Sequence, residues 1–425
     1  MIESLFLSTF CLLMFCQLGY AIVHKGIVSI ASYVTLFYTF AAICAVIYYQ
    51  NPLYGVLSFS THIQLEGILY LFFVLLIFAI PLFKFPNKLS KISFNEKRFR
   101  VVYYSVFIIT AISLIFNIAS NGFTLHNFVE DFVDVRNDSY YESEERAGFF
   151  EGFMTGYLNA FNYFSIPISL LALFVFRYKP FQSTIFFIIA IASPIYNSLV
   201  VAGRSEIVNM MLMLGYSFIL CKGLISKTVY RGFMSFIIFL GLIVLGYVVF
   251  ANFLRFENQS VDASFFLWKY TGESIVNFTG VLFPSIIGYT YGTSSFGFFR
   301  RLLGLDYTSD LMSLRAFVER KTGTPGYIFY TYIGNFFRDF GAYITALMGI
   351  IYCFLMNRSL NLTTIKTDSG ETEMKCGTWV LFAFLGNMYL PGVFYFTLYS
   401  QVGNIAIILA IALYVFLNKE TQDEE

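Results

Sequence analysis

The chain has 425 residues, of which 58% are hydrophobic, 20% aromatic and only 12% charged, with a formal net charge of +1. Soluble globular domains carry roughly twice that share of charge, so a water-soluble enzyme is excluded. Uncharged stretches of about twenty residues, the length at which a helix crosses a ~30 Å hydrocarbon core, recur from end to end.

In chain order, the apolar windows predict eleven spans, at about 4–23, 26–49, 63–83, 101–119, 152–176, 181–201, 206–221, 233–252, 340–357, 377–395 and 398–417. The first lacks a basic leader and a small-residue cleavage site, which predicts a retained span. The 206–221 window is short for a crossing. The stretch at 278–291, FTGVLFPSIIGYTY, is read as re-entrant or interfacial. The expected fold is an all-α polytopic membrane protein, one transmembrane domain over 1–425.

The loops set the orientation, because cytoplasmic loops retain Lys and Arg. KFPNKLSKISFNEKRFR, at 84–100, carries six basic residues against Glu96, whereas 120–150 carries seven acidic residues against Arg136 and Arg146. The first is therefore expected in the cytoplasm and the second, an acidic loop, outside. Propagation puts His24, Lys25, Arg177, Lys179, Lys222, Lys227 and Arg231 in the cytoplasm, and makes 253–337 a long exported segment with re-entrant or interfacial helices. The 358–376 loop is charge-balanced and decides nothing.

Cys11, Cys16, Cys44, Cys221 and Cys353 fall inside predicted spans and Cys376 at a cytoplasmic edge, which leaves no exported disulfide. Neither the Cys/His spacing nor the carboxylates of 120–150 fit a metal site, and a glycine-rich phosphate loop and internal repeats are absent. No metal, cofactor or nucleic-acid partner is expected.

On this orientation nine of fourteen arginines are exported but only two of thirteen lysines. Guanidinium stays charged and forks onto phosphate or carboxylate oxygens, so clustered outer arginines suit an anionic headgroup; pairing with outer carboxylates or snorkelling is the other reading. Arg204, in VAGRSEIVNMML, lies at an outer junction where Ser205 could cap the next helix. Arg255, in FANFLRFENQ, leaves the outer end of a span, and Arg338, in YTYIGNFFRDFGAY, immediately precedes another. Arg300, Arg301, Arg315 and Arg320 lie in the exported segment.

The GR(S) junction at 203–205, the long outer loop and the run YTYIGNFFRDFGAYITALMGIIY, with Asp339, Phe340 and Gly341 opening a span rich in small residues, resemble the Wzy-type O-antigen and capsule polymerases. The resemblance covers topology throughout but residues over about a tenth of the chain. It implies a GT-C-type glycosyltransferase of the bacterial inner membrane, acting on the periplasmic face without nucleotide sugar or metal. The donor would be a growing glycan on undecaprenyl pyrophosphate and the acceptor a second lipid-linked repeat unit, in polysaccharide or lipopolysaccharide biosynthesis. A chain-length regulator would be a partner.

Such chemistry needs fixed cations for the departing pyrophosphate and a group that takes the acceptor hydroxyl's proton. Arg204, Arg255 and Arg338, with Arg300 and Arg301, are the pyrophosphate candidates. Asp339 and Glu273 are the catalytic candidates; Glu206, His62 and His126 are further outer groups, and Glu66 is a costly charge entering a span. Asp339 reads equally as a salt bridge or helix cap, and Glu206 as an orienter of Arg204. Tyr289 and Tyr332 are sugar-stacking candidates, among outer rings that also include Tyr140, Tyr141, Trp268, Tyr291, Tyr327 and Tyr330, against the interfacial aromatic belt found in any membrane protein. A flippase would place charges deep in several spans and show related halves; a glycan ligase would share the arginine chemistry.

Overall fold

The computed structural model describes residues 2–51, 62–121, 149–200, 204–256, 263–305, 311–366 and 371–419. The chain is a polytopic all-α protein, and among the described residues ten helices are long and apolar enough to cross a membrane. Every predicted window coincides with a helix. The short window is Ser205–Leu220, apolar but only 16 residues. The chain divides into two compact units, each interrupted in sequence.

The first unit holds Met1–Asn87, Val261–Asn361 and Met388–Asn404. Its scaffold is α1 (Ile2–Lys25), α2 (Ile30–Gln50) and α3 (Leu65–Lys84). Ser29 caps α2 by accepting from the Ser32 amide at 3.1 Å. The next helix of this unit, Ala263–Asn277, runs through a π turn at Phe278–Leu282 into Phe283–Ser285. It lies on α2 almost backbone to backbone: a Cβ at Gly272 would fall 2.4 Å from the Ala45 nitrogen. Phe265 starts it beside Tyr48, ring centroids 5.6 Å apart, and the Thr279 carbonyl accepts from the Gln64 amide at 3.3 Å. Tyr48 and Gln64 flank the same connection between α2 and α3. The helix therefore begins and finishes at one end of that pair, and the part of 278–291 through Leu282 is buried, while Ile287 and Tyr291 are exposed.

The helix at Tyr332–Thr363 is broken at Gly341, whose φ of 77° and ψ of 179° are non-helical. Residues 332 and 352 would stand about 30 Å apart on a straight helix. Both instead pack on Phe78, with centroid distances of 5.5 Å for Tyr332 and 5.3 Å for Tyr352. Tyr70, two turns earlier on α3, meets Phe337 at 5.6 Å and donates to the Ala342 carbonyl at 2.8 Å. The chain thus climbs α3 as a nine-residue arm, 332–340, reverses at Gly341 and descends as 342–363. Of the two limbs only the descending one is long enough to cross a membrane.

The second unit holds Lys88–Ser260, Leu362–Asn387 and Ile405–Glu425. It contains α4 (Glu96–Asn121), α5 (Phe149–Leu170, prolonged by a π turn at Leu171–Val175), α6 (Pro180–Val200), α7 (Ser205–Leu220) and α8 (Lys227–Phe256). The helix Cys376–Tyr389 contributes its part up to Asn387 and is buried along its length. Phe384 on it stacks on Phe164 at 5.2 Å, and Trp379 donates to the Leu220 carbonyl at 3.3 Å.

A three-stranded sheet joins two loops of this unit. β1 (Lys91–Ser93) runs parallel to β3 (Thr372–Lys375), pairing Ile92 with Met374, and β2 (Thr364–Lys366) runs antiparallel to β3, pairing Ile365 with Glu373. The loops at 84–100 and 358–376, only one of which carried an orientation signal in the sequence, are therefore on one face.

Candidate functional site

The arm 332–340 is apolar except at Asn335, Arg338 and Asp339, spaced i, i+3, i+4 and so on one helical face. Arg338 is 7% exposed and Asp339 fully buried. Charges at that depth require partners, and the three bind two pieces of irregular chain, Asn335 one and Arg338 with Asp339 the other. Asn335 accepts from the Phe396 amide at 3.0 Å. Asp339 accepts from the Thr290 hydroxyl and, at 3.1 Å, from the Ser294 amide, with Ser295 beside it. Arg338 donates through Nη2 to the Ser294 hydroxyl at 2.5 Å and lies over the Tyr330 ring, 5.7 Å from its centroid. Its Nε–H finds no acceptor among the described residues.

The carbonyls that end the arm have no helical partner. The amides of Thr290 and Tyr291 supply them, donating to Arg338 at 3.2 Å and Asp339 at 2.9 Å. These donors sit in a tight turn, closed by the Thr293 amide on the Thr290 carbonyl at 3.1 Å, whose central residues Tyr291 and Gly292 have φ of 50° and 84°. A left-handed tyrosine is strained, and such residues gather at sites held by their surroundings. Asn404, fully buried, fixes the far end of the turn by donating to the Ser295 carbonyl at 3.1 Å. Tyr289 closes over the reversal: a Cβ on Gly341 would sit 2.7 Å from its ring.

The structure thus brings together Arg338, Asp339 and Tyr289, with Arg300 adjoining, since Arg300 donates to the Tyr291 carbonyl at 2.8 Å. Arg300, half-buried, and Arg301, exposed, lie on a short helix, Gly297–Leu302. Glu273 belongs to the same unit. It is 8% exposed, and burial raises its carboxyl to about 7 against a smaller lowering by Lys269. Tyr332 is placed differently from the sugar-stacking expectation: at 1% exposure, with Phe78, Phe336 and Tyr389 around its ring and Gly392 against it, it offers no face to a ligand. Tyr289, at 36%, keeps one.

Arg204 and Arg255 belong to the second unit. Ser205 does not cap α7; Arg204 holds the cap position, and the first-turn amide of Ile207 is taken by the Ser198 hydroxyl at 2.9 Å. Glu206 has Asn197 as a hydrogen-bond partner. Arg255 is on the last turn of α8, and its side chain lies outside the described residues, as do His126, Tyr140, Tyr141 and nearly all of the acidic loop 120–150. His62 is exposed, 3.2 Å from Glu3.

Thr290, Ser294, Asn335 and Asn404 were not singled out by sequence. The signal for the first two was the hydroxyl-rich run Thr290 to Ser295, set between apolar stretches. Comparison with known proteins gives no match to a family model, to a curated protein or to a solved structure.

Proposed function

We propose that this chain is a lipid-linked oligosaccharide polymerase of the bacterial inner membrane, with a GT-C-like arrangement and its site on the exported face. One observation carries the reading: a buried guanidinium gripped by Ser294 at the tip of the arm, with an Nε–H that finds no acceptor among the described residues. A buried cation with spare donor capacity suits an oxyanion ligand. In the proposed reaction a hydroxyl oxygen of the acceptor repeat unit bonds to the donor's anomeric carbon while the bond from that carbon to the lipid pyrophosphate breaks. Arg338 and Arg300 stabilise the departing pyrophosphate, with Arg301 as a further cation. The hydroxyl proton passes to a carboxylate. Glu273, with its carboxyl raised to about 7, matches that task at neutral pH. Asp339 orients the tip, since its contacts are to the turn that Arg338 also grips. Tyr289 offers a ring to the sugar.

The test is to supply purified protein with a single lipid-linked repeat unit. A ladder of lengths supports the reading; transfer to a different acceptor lipid identifies a ligase, and unreacted substrate moved across the bilayer a flippase. Arg338→Lys keeps charge but loses the forked donors, so ladder formation should fall at least tenfold with protein level unchanged. Wild-type ladders from this variant and from Glu273→Gln would end the assignment.

A further inference from the structure

We infer that the second unit carries a binding site for the phosphate of an anionic phospholipid, built from Arg177, Lys179 and Arg100 at the junction of α5 and α6, and independent of the polymerase reading. The π turn that ends α5 hands over to a short connection in which Arg177 and Lys179 have φ of 48° and 41°. Two non-glycine residues in the left-handed region within three positions are unfavourable, each by an amount that glycine would relieve. A loop that needed only positive charge could carry it in relaxed backbone, so the charge requirement of membrane topology does not account for this conformation.

The strained turn delivers charge to a defined place. Lys179 donates to the Tyr104 hydroxyl at 2.5 Å and lies 5.2 Å from the centroid of that ring and 5.9 Å from that of Tyr178. Tyr104 in turn reaches Gln182 at 3.5 Å. Arg100 is within electrostatic reach of both Tyr178 and Lys179. Glu96, 3.3 Å from Arg100, is the one carboxylate among the described residues bonded to this group. Two cations close enough to repel, Arg100 and Lys179, stand against one carboxylate, with Arg177 two residues from Lys179 on the same turn, and an anion completes the group.

Apolar surface identifies the source of that anion. On α6, Phe181, Ile185 and Ile188 are exposed at i, i+4, i+7, and on α4 Val101 and Ile108 are exposed on the stripe that includes Tyr104. The two helices pack through Tyr103 and Phe186, 5.6 Å apart. Acyl chains can follow both stripes away from the cations, which free phosphate cannot use.

The experiment uses the full chain in detergent, exposed to phosphatidylglycerol, phosphatidylcholine or inorganic phosphate, with bound lipid counted by native mass spectrometry. Phosphatidylglycerol should be retained over phosphatidylcholine and not displaced by millimolar phosphate. Arg177→Gly with Lys179→Gly should weaken retention on the order of thirty-fold, about five-fold per cation removed, without lowering the thermal midpoint, because glycine relieves both strained positions. Lys179→Arg should retain the lipid. Equal retention of the two lipids, full displacement by phosphate, unchanged retention by the double variant, or a lowered midpoint with retention lost only in proportion to unfolding would each overturn the site.

Discussion

Gly341→Ala tests the reversal on which the arm depends. Two costs add. The backbone at φ 77°, ψ 179° lies in a region that is essentially glycine-only, worth about 1–3 kcal/mol for any other residue. The new methyl would also meet the Tyr289 ring at 2.7–3.0 Å, and overpacking of that kind costs about 1–3 kcal/mol. The expected loss is therefore about 2–6 kcal/mol, read from denaturant or thermal unfolding of the purified protein. Tyr289→Leu in the same chain should recover the steric part alone, giving a coupling energy of about 0.5–3 kcal/mol. Gly304→Ala is an internal control, since Gly304 also has positive φ, 67°, but nothing lies within 4 Å of the added carbon; its cost should stay at about 1–2 kcal/mol. A Gly341→Ala protein as stable as the parent, or one whose loss is indifferent to Tyr289, would refute the reversal.

Glu273 predicts a pH dependence. Its folded-state carboxyl, raised by burial to about 7 from 4.5, binds its proton more tightly than the unfolded chain does. Its contribution is full below pH 4.5, declines as pH rises and is lost above about 7, a total on the order of 3 kcal/mol. Glu273→Gln should flatten that part of the stability profile relative to the parent; an identical profile would show that the residue does not titrate there. Gly272→Val should prevent docking of the helix on α2, because even a Cβ would overlap the Ala45 nitrogen at 2.4 Å; normal accumulation and stability of the variant would contradict that contact. Cysteines introduced at Lys91 and Glu371 should be labelled by an impermeant reagent from the same side of the membrane, given the pairing of β1 with β3, and labelling from opposite sides would rule the sheet out.

The spans were legible because twenty consecutive apolar residues have few other uses, and their ends needed no finer signal than the first charge or proline. The reversal at Gly341 was not legible. The window at 340–357 marked the descending limb alone, and hydropathy carries no direction, so nothing in the sequence showed that 332–340 is a helical arm running back along α3. Arg338 and Asp339 stood out as charges at a span edge, and the ambiguity attached to Asp339 came from the partner it lacked in sequence. Thr290 and Ser294, more than forty residues away, are brought to it only by the turn that caps the arm. Tyr332 misled for a related reason: a tyrosine near a boundary is rated by type, whereas its fate was decided by Phe78 and Gly392.

The small sheet poses a question of parity. A chain that leaves one side of a membrane after β1 and returns to hydrogen-bond with itself at β3 has passed through an even number of times. Between the two strands lie five of the ten helices that, among the described residues, are long and apolar enough to cross a membrane, an odd number, so if all five cross, one shorter helix crosses with them. The helix that begins at Phe265 beside Tyr48 and reaches Gln64 at Thr279 comes back to the end it started from and adds nothing to the tally. That passage would fall to α7, whose 16 residues reach only about 24 Å, and a crossing of that length requires the bilayer beside it to thin locally or the flanking turns to enter it.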